Sequence, residues 1–77
     1  MSTERTILTN LERGHDGVMS KSVLWSEVML DEGGCTYSEF SQHLTNLEVK
    51  GEVVVLHGSE RVKVKITDKG RLRLMEK

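Results

Sequence analysis

Hydrophobic residues follow a helical rhythm as far as Leu47 and a strand rhythm from Val53 onward. Ile7, Leu8 and Leu11 fall at i, i+1 and i+4, which predicts one apolar face of a helix over 2–13. Gly14 then suits a left-handed cap, and His15-Asp16-Gly17 reads as a turn. Ser20 is a good N-cap for a second helix. Its apolar run over 23–30 covers more than half the circumference, so part must face the core and the rest is open to a partner. Thr36-Tyr37-Ser38-Glu39 has the form of a capping box at the start of a third helix. Phe40, Leu44 and Leu47 follow at i, i+4 and i+7, and Gly51 ends that helix.

The strand rhythm begins with the β-branched run Val53-Val54-Val55-Leu56. His57-Gly58-Ser59-Glu60 predicts a turn of four. In the next strand Val62, Val64 and Ile66 alternate with Arg61, Lys63 and Lys65, so the valines and isoleucine point inward and the cations outward. Thr67-Asp68 can cap a last short helix or extension, which Gly70 weakens. The chain has no proline, so glycines and polar caps make its breaks.

Helix, helix, capped polar helix and hairpin is the order of a winged helix-turn-helix. The segment Phe40-Ser41-Gln42-His43-Leu44-Thr45-Asn46-Leu47-Glu48-Val49-Lys50-Gly51-Glu52-Val53 resembles the recognition helix and first wing strand of winged-helix regulators. The segment Ile66-Thr67-Asp68-Lys69-Gly70-Arg71 resembles the Leu-Thr-x-x-Gly-Arg stretch that closes the wing in the MarR-like and PadR-like families. The resemblance covers residues 36–71 well and the first two helices only in type. It implies an α+β winged-helix fold over residues 1–77: a three-helix bundle with helix-turn-helix, a two-stranded hairpin wing and a short C-terminal extension. Two features depart from the family. Gln42 stands where many members carry Arg, and the long terminal dimerisation helices have no counterpart.

Charge sharpens this picture. Residues 1–60 carry four basic and ten acidic side chains, a net of −6, whereas residues 61–77 carry seven basic and two acidic, a net of +5. The positive field therefore belongs to the last quarter, where it can meet a polyanion or keep a hairpin edge from aggregating. The acidic first half argues against nucleic-acid binding, but local field counts for more than net charge. At 36% hydrophobic and 30% charged, the chain suits a folded domain rather than disorder. One cysteine, Cys35, allows no internal disulfide and fits a reducing, cytoplasmic setting. No apolar run approaches the ~20 residues of a membrane span, and the N-terminus lacks a secretory h-region.

The resemblance implies that the helix over 36–50 enters the major groove of double-stranded DNA while the wing over 53–66 lies along the backbone. Gln42 and Asn46 then offer bidentate contacts to adenine, or are solvated helix residues. Ser38, Ser41 and Thr45 can bond a base or a phosphate. Arg61 and Lys63 reach the backbone or minor groove; His57 and Ser59 lie in the wing turn, where His57 touches a phosphate or simply fills the turn. Lys50 contacts phosphate or complements the helix dipole. His43 beside Leu44 reads as a half-buried packing residue. Cys35, before a helix N-cap, suggests a lowered thiol pKa or a plain small residue.

No nucleophile, metal-ligand or phosphate-loop spacing is present, so the sequence predicts no enzyme, no cofactor and no small-molecule ligand. The expected function is a sequence-specific DNA-binding regulator, with a homodimer on a two-fold operator as the assembly open to it. The alternative is a winged-helix protein-interaction module that docks a partner on the 23–30 helix or the hairpin edge.

Overall fold

A computed structural model describes residues 3–58 and 60–76. Helix α1 (Thr3–Arg13) is followed by a 3-10 turn (His15–Gly17), strand β1 (Val18–Ser20), helix α2 (Lys21–Glu32), helix α3 (Tyr37–Val49), strands β2 (Val53–His57) and β3 (Val62–Ile66), and helix α4 (Asp68–Met75). Among the described residues the architecture is α+β, with four α-helices and one antiparallel sheet in the order β1-β3-β2.

Helix α1 buries Ile7, Leu8 and Leu11 completely, the face its spacing predicts. Phe40 and Leu47 of α3 are fully buried and Leu44 nearly so. Val53, Val64 and Ile66 close the core from the sheet. On α2 only Leu24 and Val28 are buried; Val23 is 49% and Leu30 80% exposed, so half of its apolar run faces outward.

The capping box of α3 forms in full. Glu39 N donates to Thr36 Oγ1 at 3.2 Å, and Thr36 N donates to the Glu39 carboxylate at 3.1 Å. Two orphan donors of the first turn are thereby satisfied. Ser20 caps α2 through the Val23 amide, and Thr67 caps α4 through the Gly70 amide.

Two local expectations need correction. The sheet has three strands, because Val18, Met19 and Ser20 pair with Lys65, Val64 and Lys63 on the far edge of the hairpin. Three residues are too few to show a period, and the pairing spans some forty-five positions. Gly14 is extended (φ −71°, ψ 162°) rather than left-handed. The chain reverses one turn later, with positive φ at Asp16 (56°) and Gly17 (70°).

Gly70 lies inside α4, where glycine is intrinsically costly. Its place follows from packing. A Cβ there would run into the Glu52 carbonyl oxygen and stand 2.8 Å from Ile66 Cγ1 and 3.2 Å from Leu8 Cδ2. The bare backbone lets α4 lie against the head of β2 and against α1. Gly70→Ala should therefore lower unfolding stability by about 3 kcal/mol in urea titrations. Gly34→Ala, with open space around the added carbon, should change it by less than about 0.5 kcal/mol.

Candidate functional site

Helix α3 sorts its side chains into four rows. Phe40, Leu44 and Leu47 face the core. Ser38, Gln42, Thr45 and Val49 form the opposite row at i, i+4, i+7 and i+11, and all four are exposed. Asn46 borders that row and accepts a hydrogen bond from Gln42 Nε2 at 3.3 Å. Thr45 donates its hydroxyl to the Ser41 carbonyl at 3.0 Å. Ser41 is half-buried on the flank toward Tyr37.

The other flank carries His43 and, at the helix end, Lys50. Lys50 Nζ meets Glu4 Oε1 at 2.8 Å, so this candidate is tied to α1 rather than held outward. Arg73 bridges Glu4 at 2.9 Å and Glu52 at 2.7 Å. His43 Nδ1 is buried without a hydrogen-bond partner, 3.6 Å from Glu4 Oε2. Its half-burial agrees with the packing role expected of it.

Lys50 above all, and Arg73 with it, hold the Glu4 carboxyl down to about 2, against a smaller opposing push from burial. Glu39 is also held below its ordinary value, chiefly by the Thr36 amide. The Cys35 thiol moves up instead of down. Burial and then the charges of Glu32 and Glu39 raise it, overriding the adjacent helix start.

The hairpin divides the remaining candidates. His57 is exposed at the end of β2, opposite Val62. Arg61 is exposed in the connection. Lys63 lies between buried Val64 and half-buried Val62 in sequence, so it points to the outer sheet face, beside Ser20 and Leu56. Ser59 lies outside the described residues.

One feature was not anticipated from the sequence. A groove of about 320 Å³ runs between the start of α2, the start of α3 and the hairpin. It is lined by Lys21, Ser22, Trp25, Tyr37, Arg61 and Val62 among others. Trp25 meets Tyr37 edge-on at 5.3 Å and Phe40 at 5.2 Å, so all three aromatic residues of the chain stack together. Lys21 Nζ stands 5.6 Å from the Tyr37 ring centroid, within cation–π range. Lys21, then Ser41, holds the Tyr37 phenol below its ordinary value. The signal available beforehand was Lys21 directly after a helix N-cap, with Tyr37 in the first turn of the polar helix.

Arg61, Lys63 and Lys65 enter no ion pair among the described residues, whereas Arg71 and Arg73 are paired with Glu12, Asp68, Glu4 and Glu52. Cations outside the ion pairs therefore lie on the outer sheet and, beside Glu60, at the groove, and an uncharged polar row lies along α3. Among the described residues no helix is long and apolar enough to cross a membrane, and no group of three His, Cys, Asp or Glu is disposed to hold a metal ion. No protein-family model matches the chain, and no curated protein matches it significantly.

The Glu4 cluster gives a pH prediction. Its folded pKa of about 2 lies below the ordinary 4.5, so the associated stability is full above that ordinary value and is lost as pH falls through about 2. Glu4→Gln should cost about 2–3 kcal/mol at pH 7 and flatten the acid limb between pH 4.5 and 2, read by Trp25 fluorescence in urea. An unchanged acid limb would assign the sensitivity to another carboxylate.

Proposed function

We propose that the chain is a winged-helix domain that binds double-stranded DNA, with α3 as the recognition helix in the major groove and the β2–β3 hairpin as the wing on the backbone. The observation that carries this reading is the exposed row of Ser38, Gln42 and Thr45, bordered by the half-buried Asn46. These hydrogen-bonding side chains lie outward on a helix held rigidly at its back. A helix of this kind fits the major groove, and its outward side chains meet base edges. Arg61 and Lys21 at the neighbouring groove supply charge for phosphates, beside the first turn of α3. Wing and helix together resemble MarR-like and PadR-like regulators, and the biological role that follows is transcriptional regulation in the cytoplasm. Occupancy of a two-fold operator by a homodimer is the corresponding assembly.

A second reading has its own observation. Val23 and Leu30 are exposed seven residues apart on one side of α2, and Met29 is exposed beside them. That face could dock a protein instead.

Titration of the chain with random duplex DNA at 50 and 200 mM salt, followed by amide NMR, separates the two. DNA binding predicts shifts over 38–46 and 61–65 and a steep loss of affinity with salt. Arg61→Ala should reduce the log–log salt slope by about 0.9, the value of one phosphate contact. Absence of shifts at 50 mM salt overturns the proposal and directs attention to a protein partner for α2.

A further inference from the structure

We infer that the outward row of α3 reads A·T base pairs, with the Gln42–Asn46 amide pair taking the adenine edge and the Thr45 methyl taking the thymine methyl. This inference rests on the duplex-binding reading above and adds the class of sequence selected.

The two amides already hold one another at 3.3 Å. With Gln42 Nε2 donating to Asn46 Oδ1, Gln42 Oε1 remains a free acceptor and Asn46 Nδ2 a free donor. Adenine presents N6–H as donor and N7 as acceptor in the major groove, the complement of that edge. Reversing both amides exchanges the two roles and leaves the same one-acceptor, one-donor face. Thr45 has committed its hydroxyl proton to the Ser41 carbonyl at 3.0 Å, so toward a base it offers its methyl and an acceptor oxygen but no donor. Threonine methyls pack on the thymine C5-methyl.

The G·C readers are withheld. Guanine is read chiefly by Arg or Lys. Helix α3 contains neither, and Lys50 at its C-cap is bound to Glu4 at 2.8 Å on the flank. His43 faces Glu4 on that same flank. Cytosine N4 is read chiefly by a carboxylate. Glu39 holds its Oε1 on the Thr36 amide and hydroxyl at 3.1 and 3.0 Å, and it lies four residues before His43 on that flank, off the outward row. Glu48 lies seven residues after Ser41 on the Tyr37 flank, off the outward row. Only amide, hydroxyl and methyl groups remain on that row.

The test uses the whole chain and a random-core duplex library at 50 mM salt. The enriched site is then rebuilt with 7-deazaadenine, which lacks the N7 acceptor, or with uracil for thymine, which lacks the methyl. An A·T core is expected. Substitution of the critical adenine should weaken binding roughly tenfold in the native chain and hardly at all in Gln42→Ala/Asn46→Ala. Uracil should weaken it roughly threefold in the native chain and leave Thr45→Ser unaffected. These positions are on the surface, and amide spectra confirm that each variant is folded. A G·C core, or indifference to both modified bases, overturns the A·T inference while duplex binding stands. Failure to retain any duplex overturns both.

Discussion

Glu4, in the first turn of α1, accepts from Lys50 of the α3 cap at 2.8 Å and from Arg73 of α4 at 2.9 Å. Three helices thus meet at one carboxylate whose side chain is only 13% exposed. The stripe of Phe40, Leu44 and Leu47 fastens α3 to the core, but hydrophobic contact is non-directional and tolerates some roll about the helix axis. An ion pair on one flank does not tolerate it. Taking these charges out of water offsets much of their attraction, so the gain is chiefly in geometry. With Lys50 and His43 turned toward Glu4, the row of Ser38, Gln42 and Thr45 is left facing solvent.

The same pairing explains how an acidic first half and a basic last quarter share one small domain. Arg71 meets Glu12, Arg73 meets Glu4 and Glu52, and Arg5 donates to the carbonyls of Arg73, Leu74 and Glu76 at the end of α4. The sequence asymmetry is thereby partly consumed between α1 and α4. Arg61, Lys63 and Lys65 of the hairpin are outside these pairs. Net charge near zero is therefore compatible with a local positive field, which is the quantity that governs encounter with a polyanion.

Elements with a strong local signal were legible. The Thr36–Glu39 box, the Phe40/Leu44/Leu47 stripe and the Val62/Val64/Ile66 alternation each follow from spacing alone, and each takes its predicted form. Features set by distant partners were not. Strand β1 exists because Val64 offers Met19 a partner, and Lys50 reaches across to α1 because Glu4, 46 positions away, accepts from it. Gly70 reads as a helix breaker until the Glu52 carbonyl is seen against it. The aromatic groove was hidden for the same reason, since Trp25 of α2 reaches Tyr37 and Phe40 of α3 only in the folded chain.

On the duplex-binding reading, the domain separates two tasks that many DNA-binding helices combine. Phosphate contacts supply affinity and register but no sequence information, whereas base edges supply the sequence. A cation on the outward row of α3 would serve both, attracting any duplex while reading guanine. With an uncharged row, nonspecific attraction falls to Lys21, Arg61 and the sheet lysines, which one copy holds in small number. Affinity for random sequence then rests on those contacts and falls with salt, because each phosphate neutralised contributes its own share of counterion release. Discrimination depends on amide and methyl contacts that form only on the right bases. A second copy on a two-fold site would double both sets of contacts, and linking them raises affinity far more than either set alone.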